Sequence, residues 1–154
     1  MATTHVIRNN MISCRALPTI NDADFQDLLD ILQQQNEGPV YFVGAFGGGS
    51  NDPIYRKIIE YQWSGLLIEP VKQSFDMLRH NYVNNSNIIF ENVVISREHG
   101  TRALYGGGQN SAASLQRNID HDTGVITEEL MMCITLKSLL KKHHIRRIDL
   151  LHVD

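Results

Sequence analysis

The 154-residue chain has no apolar stretch approaching the roughly 20 residues that a membrane span needs. It has no basic surplus either: the formal charge is −3, which argues against a protein that grips a nucleic-acid backbone. Its two cysteines, Cys14 and Cys133, stand too far apart for a zinc or redox spacing, so both read as reduced thiols and no metal site is expected. Met1 to Met11 lacks the basic region and long apolar core of a secretory signal. No repeat, low-complexity tract or linker interrupts the sequence. Together these absences point to a cytoplasmic, soluble domain without a nucleic-acid or membrane partner. What remains is enough for a core, with 42% apolar and 20% charged residues.

Residues 1–20 carry no clear pattern and read as an irregular lead-in, with the domain over 21–154. Phe25, Leu28, Leu29 and Leu32 recur at helical spacing after a capping Asn21 or Asp22. Pro39 to Val43 is a buried strand by composition. A glycine-rich loop, Gly44 to Asp52, leads into a helix that Asp52 can cap with Pro53 in its first position. Leu66 to Ile68 is a second strand, and Val71, Phe75, Leu78 and Tyr82 mark another helix. Ile88 to Ile95 reads as a third strand, Thr101 to Tyr105 and Leu130 to Ile134 as shorter ones, Leu136 to His144 as a helix and Ile148 to Val153 as a last strand. Alternation of strands and helices implies right-handed crossovers and a mostly parallel sheet covered on both faces. The last strand is apolar on both faces and wants a neighbour on each side. The expectation is therefore an incomplete polypeptide, or a homo-oligomer or partner chain covering that edge.

In such a sheet, ligands bind beyond the carboxyl ends of the strands. The first strand ends at Gly44, where a loop without Cβ atoms lets backbone approach a ligand. The second ends at Glu69, placed to accept hydrogen bonds from both hydroxyls of a ribose. The dinucleotide fingerprint does not fit, because Phe46 occupies its second glycine position, and a dehydrogenase is disfavoured. The Gly-Lys-Ser/Thr of a phosphate loop is absent, and Asp52 at the helix start opposes an anion. A cofactor with a ribose and no phosphate fits, and S-adenosylmethionine is the obvious one. A plain strand–turn–helix connection with a solvated Glu69 is the bland alternative.

Several segments carry a more specific resemblance: Val43-Gly-Ala45, Asn51-Asp-Pro-Ile-Tyr55, Tyr61-Gln-Trp-Ser-Gly-Leu-Leu-Ile-Glu-Pro70, Phe90-Glu-Asn-Val-Val-Ile-Ser96, His99-Gly100, Ile134-Thr-Leu-Lys-Ser-Leu139 and Ile148 to Asp154. In this order and spacing the chain resembles the FkbM-type methyltransferases, S-adenosylmethionine-dependent enzymes that mostly methylate hydroxyl oxygens. The resemblance implies a Rossmann-like class I methyltransferase fold with a mostly parallel sheet, here truncated after the fourth core strand, and a small-molecule or glycan acceptor. It implies that Gly44, Ala45, Phe46, Gly47 and Asp52 lie along the cofactor, that Glu69 and Pro70 face its ribose, and that Asn92 and Val93 lie near its adenine. Ser111 to Ser114 would lie near the acceptor mouth, and Asp154 would open the family's Asp-x-Glu-Gly segment.

Methylation of a hydroxyl needs a base, or a metal that lowers the acceptor's pKa. Asp154 and His152 are the catalytic candidates; they stand one strand period apart and so share a face. His121-Asp122 is a further pair, and packed or solvated roles compete at His152 and His121. The run Lys137, Lys141, Lys142, His143, His144, Arg146, Arg147 reads as the solvated end of a helix. At two places the sequence departs from the family. Phe42 stands where Gln or Asp is common, and Phe46-Gly47-Gly48 stands for Asn-Asp-Gly. These departures define the alternative: a non-catalytic, methyltransferase-like binding module with weakened cofactor affinity.

Overall fold

A computed structural model describes residues 3–6, 22–36, 40–44, 52, 54–106, 113–115 and 128–153. Strands β1 (Thr3–Val6), β2 (Tyr41–Gly44), β3 (Ser64–Ile68), β4 (Ile88–Glu91) and β9 (Leu150–Val153) form one sheet in the order β1-β9-β2-β3-β4. Pairings β9–β2, β2–β3 and β3–β4 are parallel, and β1 joins β9 antiparallel. Strands β5 (Val94–Ile95), β6 (Gly100–Gly106), β7 (Ala113–Ser114) and β8 (Glu128–Ile134) form a second sheet, β5-β8-β6-β7. The helices are α1 (Asp22–Gln34), α2 (Tyr55–Glu60), α3 (Lys72–Asn81) and α4 (Leu136–Lys142).

Side-chain alternation along the parallel strands divides the core into two faces. Phe42, Leu67 and Leu150 turn to the side of α1, α2 and α3, where Leu29, Leu32, Ile54, Ile58, Trp63, Leu78 and Tyr82 are buried. Val43, Leu66, Ile68 and Leu151 turn to the other side, against Leu136, Leu139 and Leu140 of α4. The apolar spacing of the helices thus does what their sequence requires: Leu29 and Leu32 seal α1, Leu78 seals α3 and Leu139 seals α4. Lys57 of α2 reaches Asp30 of α1 at 2.5 Å, and the Trp63 indole N–H donates to Gln33 at 2.6 Å. Thr135 caps α4 by accepting from the Ser138 N–H at 3.2 Å.

Three elements differ from the sequence reading. Thr3–Val6, expected to be irregular, is a strand beside β9. With β2 on its other flank, β9 has both its neighbours within the chain, so the edge expected to need a partner chain is covered. The run Ile88–Ile95 is two strands in two sheets, split at Asn92-Val93. The second sheet, antiparallel along β6–β8 and β6–β7, was not foreseen. Helix α2 stops at Glu60 because Gln62 takes a left-handed conformation, φ 51°, which no helix continues through. Among the described residues no helix is long and apolar enough to cross a membrane.

Gly65 is fixed by a neighbouring ring. A Cβ there would overlap the buried Phe42 side chain, which itself packs 6.4 Å from Trp63. Gly65→Ala should therefore destabilise the domain by about 1–3 kcal/mol through overpacking. Urea denaturation checks this, and an unchanged midpoint would show that Phe42 has room to yield.

Candidate functional site

The chain runs β2, β3, β4 in one direction across the sheet and then returns with β9 on the other side of β2. That reversal is a topological switch point, and it lies between Gly44 of β2 and His152 of β9. Because the four strands are parallel, their carboxyl ends form one edge that carries, in order, His152, Gly44, Glu69 and Asn92. At the usual strand spacing this row spans roughly 14 Å.

At the switch point the two strands approach closely. A Cβ on Gly44 would lie 3.0 Å from the His152 Cβ and 3.3 Å from the His152 carbonyl oxygen. Gly44 is therefore required by the approach of β9. His152 is 5% exposed and sits in register with Thr4 of β1. Its alternation puts it on the same face as Leu150.

One strand further on, the chain turns at Glu69-Pro70-Val71. Glu69 donates its N–H to the Glu91 carbonyl at 3.1 Å, extending the β3–β4 ladder. Its carboxylate Oε1 accepts the Val71 N–H at 2.8 Å, so the side chain is folded back over the entry to α3. The Asn92 amide nitrogen donates to the carbonyls of both Glu69 (2.8 Å) and Pro70 (2.9 Å). Those carbonyls lie beyond the last paired residues of β3, Ile68 with Glu91. Val93 is buried with Val43, Leu66, Ile68 and Leu139.

Asp52 is also buried, at 5% exposure. Its carboxylate accepts the Ile54 N–H at 2.9 Å and its carbonyl accepts the Tyr55 N–H at 3.2 Å. It thus shapes the turn into α2, whose first residue is Tyr55 rather than Pro53. Its charge also bears on Tyr82, whose hydroxyl pKa is driven far up by burial first and by Asp52 and Tyr55 next. Ala45, Phe46, Gly47 and Asp154 lie outside the described residues, as do Ser111, His121 and Asp122; Ser114 is in β7, opposite Tyr105.

The sequence reading missed Glu91, the carboxylate that ends β4. Lys142 reaches it at 2.5 Å and His143 hydrogen-bonds the same oxygen. Burial pushes the Glu91 pKa up, but the hydrogen bonds and charges of Lys142 and His143 outweigh it and hold the carboxyl below the ordinary range. These groups are about 50 residues apart in sequence, so no local pattern joins them. The adjacent carboxylates at this edge differ in their described contacts: Glu91 meets Lys142 and His143 at the end of α4, and Glu69 accepts the Val71 N–H. Among the described residues no three His, Cys, Asp or Glu side chains are grouped to hold a metal ion.

A mainly parallel sheet with helices on both faces, a switch point beside a glycine and a carboxylate one strand away define a Rossmann-like fold of the methyltransferase class. Residues 42–154 match the family described as the methyltransferase FkbM domain. The chain belongs to that family. Neither the curated proteins nor the solved structures hold a match to it.

The Glu91 ion pairs make stability depend on pH in a defined direction. A carboxyl whose pKa is depressed by folding contributes fully above its unfolded value and loses that contribution as pH falls through the folded one. Wild type should exceed Glu91→Gln by about 1–2 kcal/mol near pH 7, and the gap should close below about pH 4. Denaturant titrations at a series of pH values measure it; a gap that persists at acid pH would contradict the ion-pair account.

Proposed function

We propose that this domain binds S-adenosylmethionine along the carboxyl edge of β9, β2, β3 and β4 and directs methyl transfer to a hydroxyl oxygen of a small molecule or glycan. The observation that carries the reading is Glu69. It is a half-buried carboxylate at the end of β3, held in place by the Val71 N–H, one strand from the switch point of a chain in the FkbM family.

The residues fit such a cofactor. A carboxylate suits two ribose hydroxyls, while a phosphate would meet acidic groups at both Asp52 and Glu69. Gly44, at the end of β2, brings backbone without a side chain to the edge where an amino-acid arm would pass. When bound, S-adenosylmethionine supplies a methyl group activated on a sulfonium. The protein's own contribution is to align the acceptor oxygen with that carbon, since a near-attack geometry supplies much of the rate. It must also take the proton of the hydroxyl. His152 and Asp154, at and just beyond the end of β9, are the groups we assign to that proton and to acceptor orientation. A strand suits such a task at His152, because it holds a side chain within narrow limits.

One observation favours the second reading, a binding module with weak cofactor affinity. Phe42, which replaces a common polar residue of the family, is fully buried against Trp63 and Gly65. It offers nothing to a ligand at the edge.

Calorimetry with S-adenosylmethionine and S-adenosylhomocysteine separates the readings. Saturable heat is expected, and Glu69→Ala should weaken binding about 10- to 100-fold, the worth of hydrogen bonds to a charged group. Absence of heat at millimolar ligand would overturn the methyltransferase reading for this chain.

A further inference from the structure

The family resemblance places Asn92 beside an adenine, yet its amide nitrogen is already engaged. It donates to the carbonyl oxygens of Glu69 and Pro70 at 2.8 and 2.9 Å, and an amide nitrogen has two protons to give. Its donor capacity is therefore spent on the backbone of the acidic turn. The turn is closed by two further bonds, from the Glu69 N–H to the Glu91 carbonyl and from the Val71 N–H to the Glu69 carboxylate. Asn92 is also the residue at which the chain leaves the first sheet for the second, between β4 and β5. It is anchored from behind by Glu91, which Lys142 and His143 fix to the end of α4.

We propose that Asn92 is a positioning residue: by clamping the Glu69 and Pro70 carbonyls it fixes the turn that aims the Glu69 carboxylate. The chain of contact runs from α4 through Glu91 to Asn92 and so to Glu69. A side chain that accepts or donates at a ligand must be held within narrow limits to be effective, and a second layer of hydrogen bonds does the holding. Without the clamp, both carbonyls lose the Asn92 donor and the turn at Pro70 is less constrained. The carboxylate then explores positions that do not meet a ribose.

The proposal rests on the reading of Glu69 as a ribose ligand, and a double-mutant cycle with a second, ligand-free readout keeps the two separable. S-adenosylhomocysteine is titrated into wild type, Asn92→Ala, Glu69→Ala and the double variant. If Asn92 acts through Glu69, Asn92→Ala weakens binding about tenfold in wild type and less than about twofold once Glu69 is gone. Full additivity would mean that Asn92 meets the ligand directly, and would overturn the proposal. In the free protein, amide exchange is followed at Val71 and at Leu66. Asn92→Ala and the near-isosteric Asn92→Asp should each speed exchange at Val71 at least about fivefold and leave Leu66 unchanged. Unchanged exchange at Val71 would also overturn the proposal. Wild type that gives no heat with S-adenosylhomocysteine overturns the cofactor reading instead, and the clamp is then decided by Val71 alone. A variant that fails to fold reveals itself by faster exchange at Leu66, and the other variant then decides the outcome.

Discussion

The arrangement of the carboxyl edge depends on how closely β9 can approach β2. The switch point exists only because the chain, having built β3 and β4 on one side of β2, returns to pair on the other. That return ends with the His152 backbone within 3.3 Å of the place where a Gly44 Cβ would stand. A larger residue at position 44 would push the end of β9 outward. His152 would move relative to Glu69 and Asn92. One missing methyl group thus sets the distance between the two halves of the edge.

The rest of the site is built by satisfying backbone groups where the ladders stop. Carbonyls at Glu69 and Pro70 have no strand beyond them, and Asn92 supplies both donors. The Val71 N–H opens α3 and finds the Glu69 carboxylate. Glu91 is engaged by Lys142, a cation placed where the end of a helix favours it, and by the neighbouring His143. The same completion of hydrogen bonds at strand ends gives Glu69 the Val71 N–H and gives Glu91 its ion pair with Lys142.

Most elements were legible because their apolar spacing was strong. Leu29 and Leu32, Leu66 to Ile68, Leu78 and Leu139 all lie in the core faces that their periodicity demands. Thr3–Val6 was not, because Thr-Thr-His-Val has no apolar alternation, and its place is set by β9, nearly 150 residues away. The break at Asn92-Val93 was hidden inside an otherwise apolar run, since only tertiary pairing tells a strand that changes sheets from one that continues. Within the site, Glu69 was visible from its position after a buried strand. The amide clamp and the Glu91 ion pairs were not, because each joins groups 22 or more residues apart. Phe42 shows the reverse: its departure from the family pattern was plain in the sequence, and the structure supplies the reason in the ring-sized space left by Gly65.

The central claim is that one row of strand ends forms the cofactor surface. Amide chemical-shift mapping with S-adenosylhomocysteine tests it directly. The account predicts that the largest shifts fall at Gly44, Glu69, Asn92, Val93 and His152, with β6 and β8 unmoved. Shifts centred on the second sheet, or spread evenly over the domain, would contradict it.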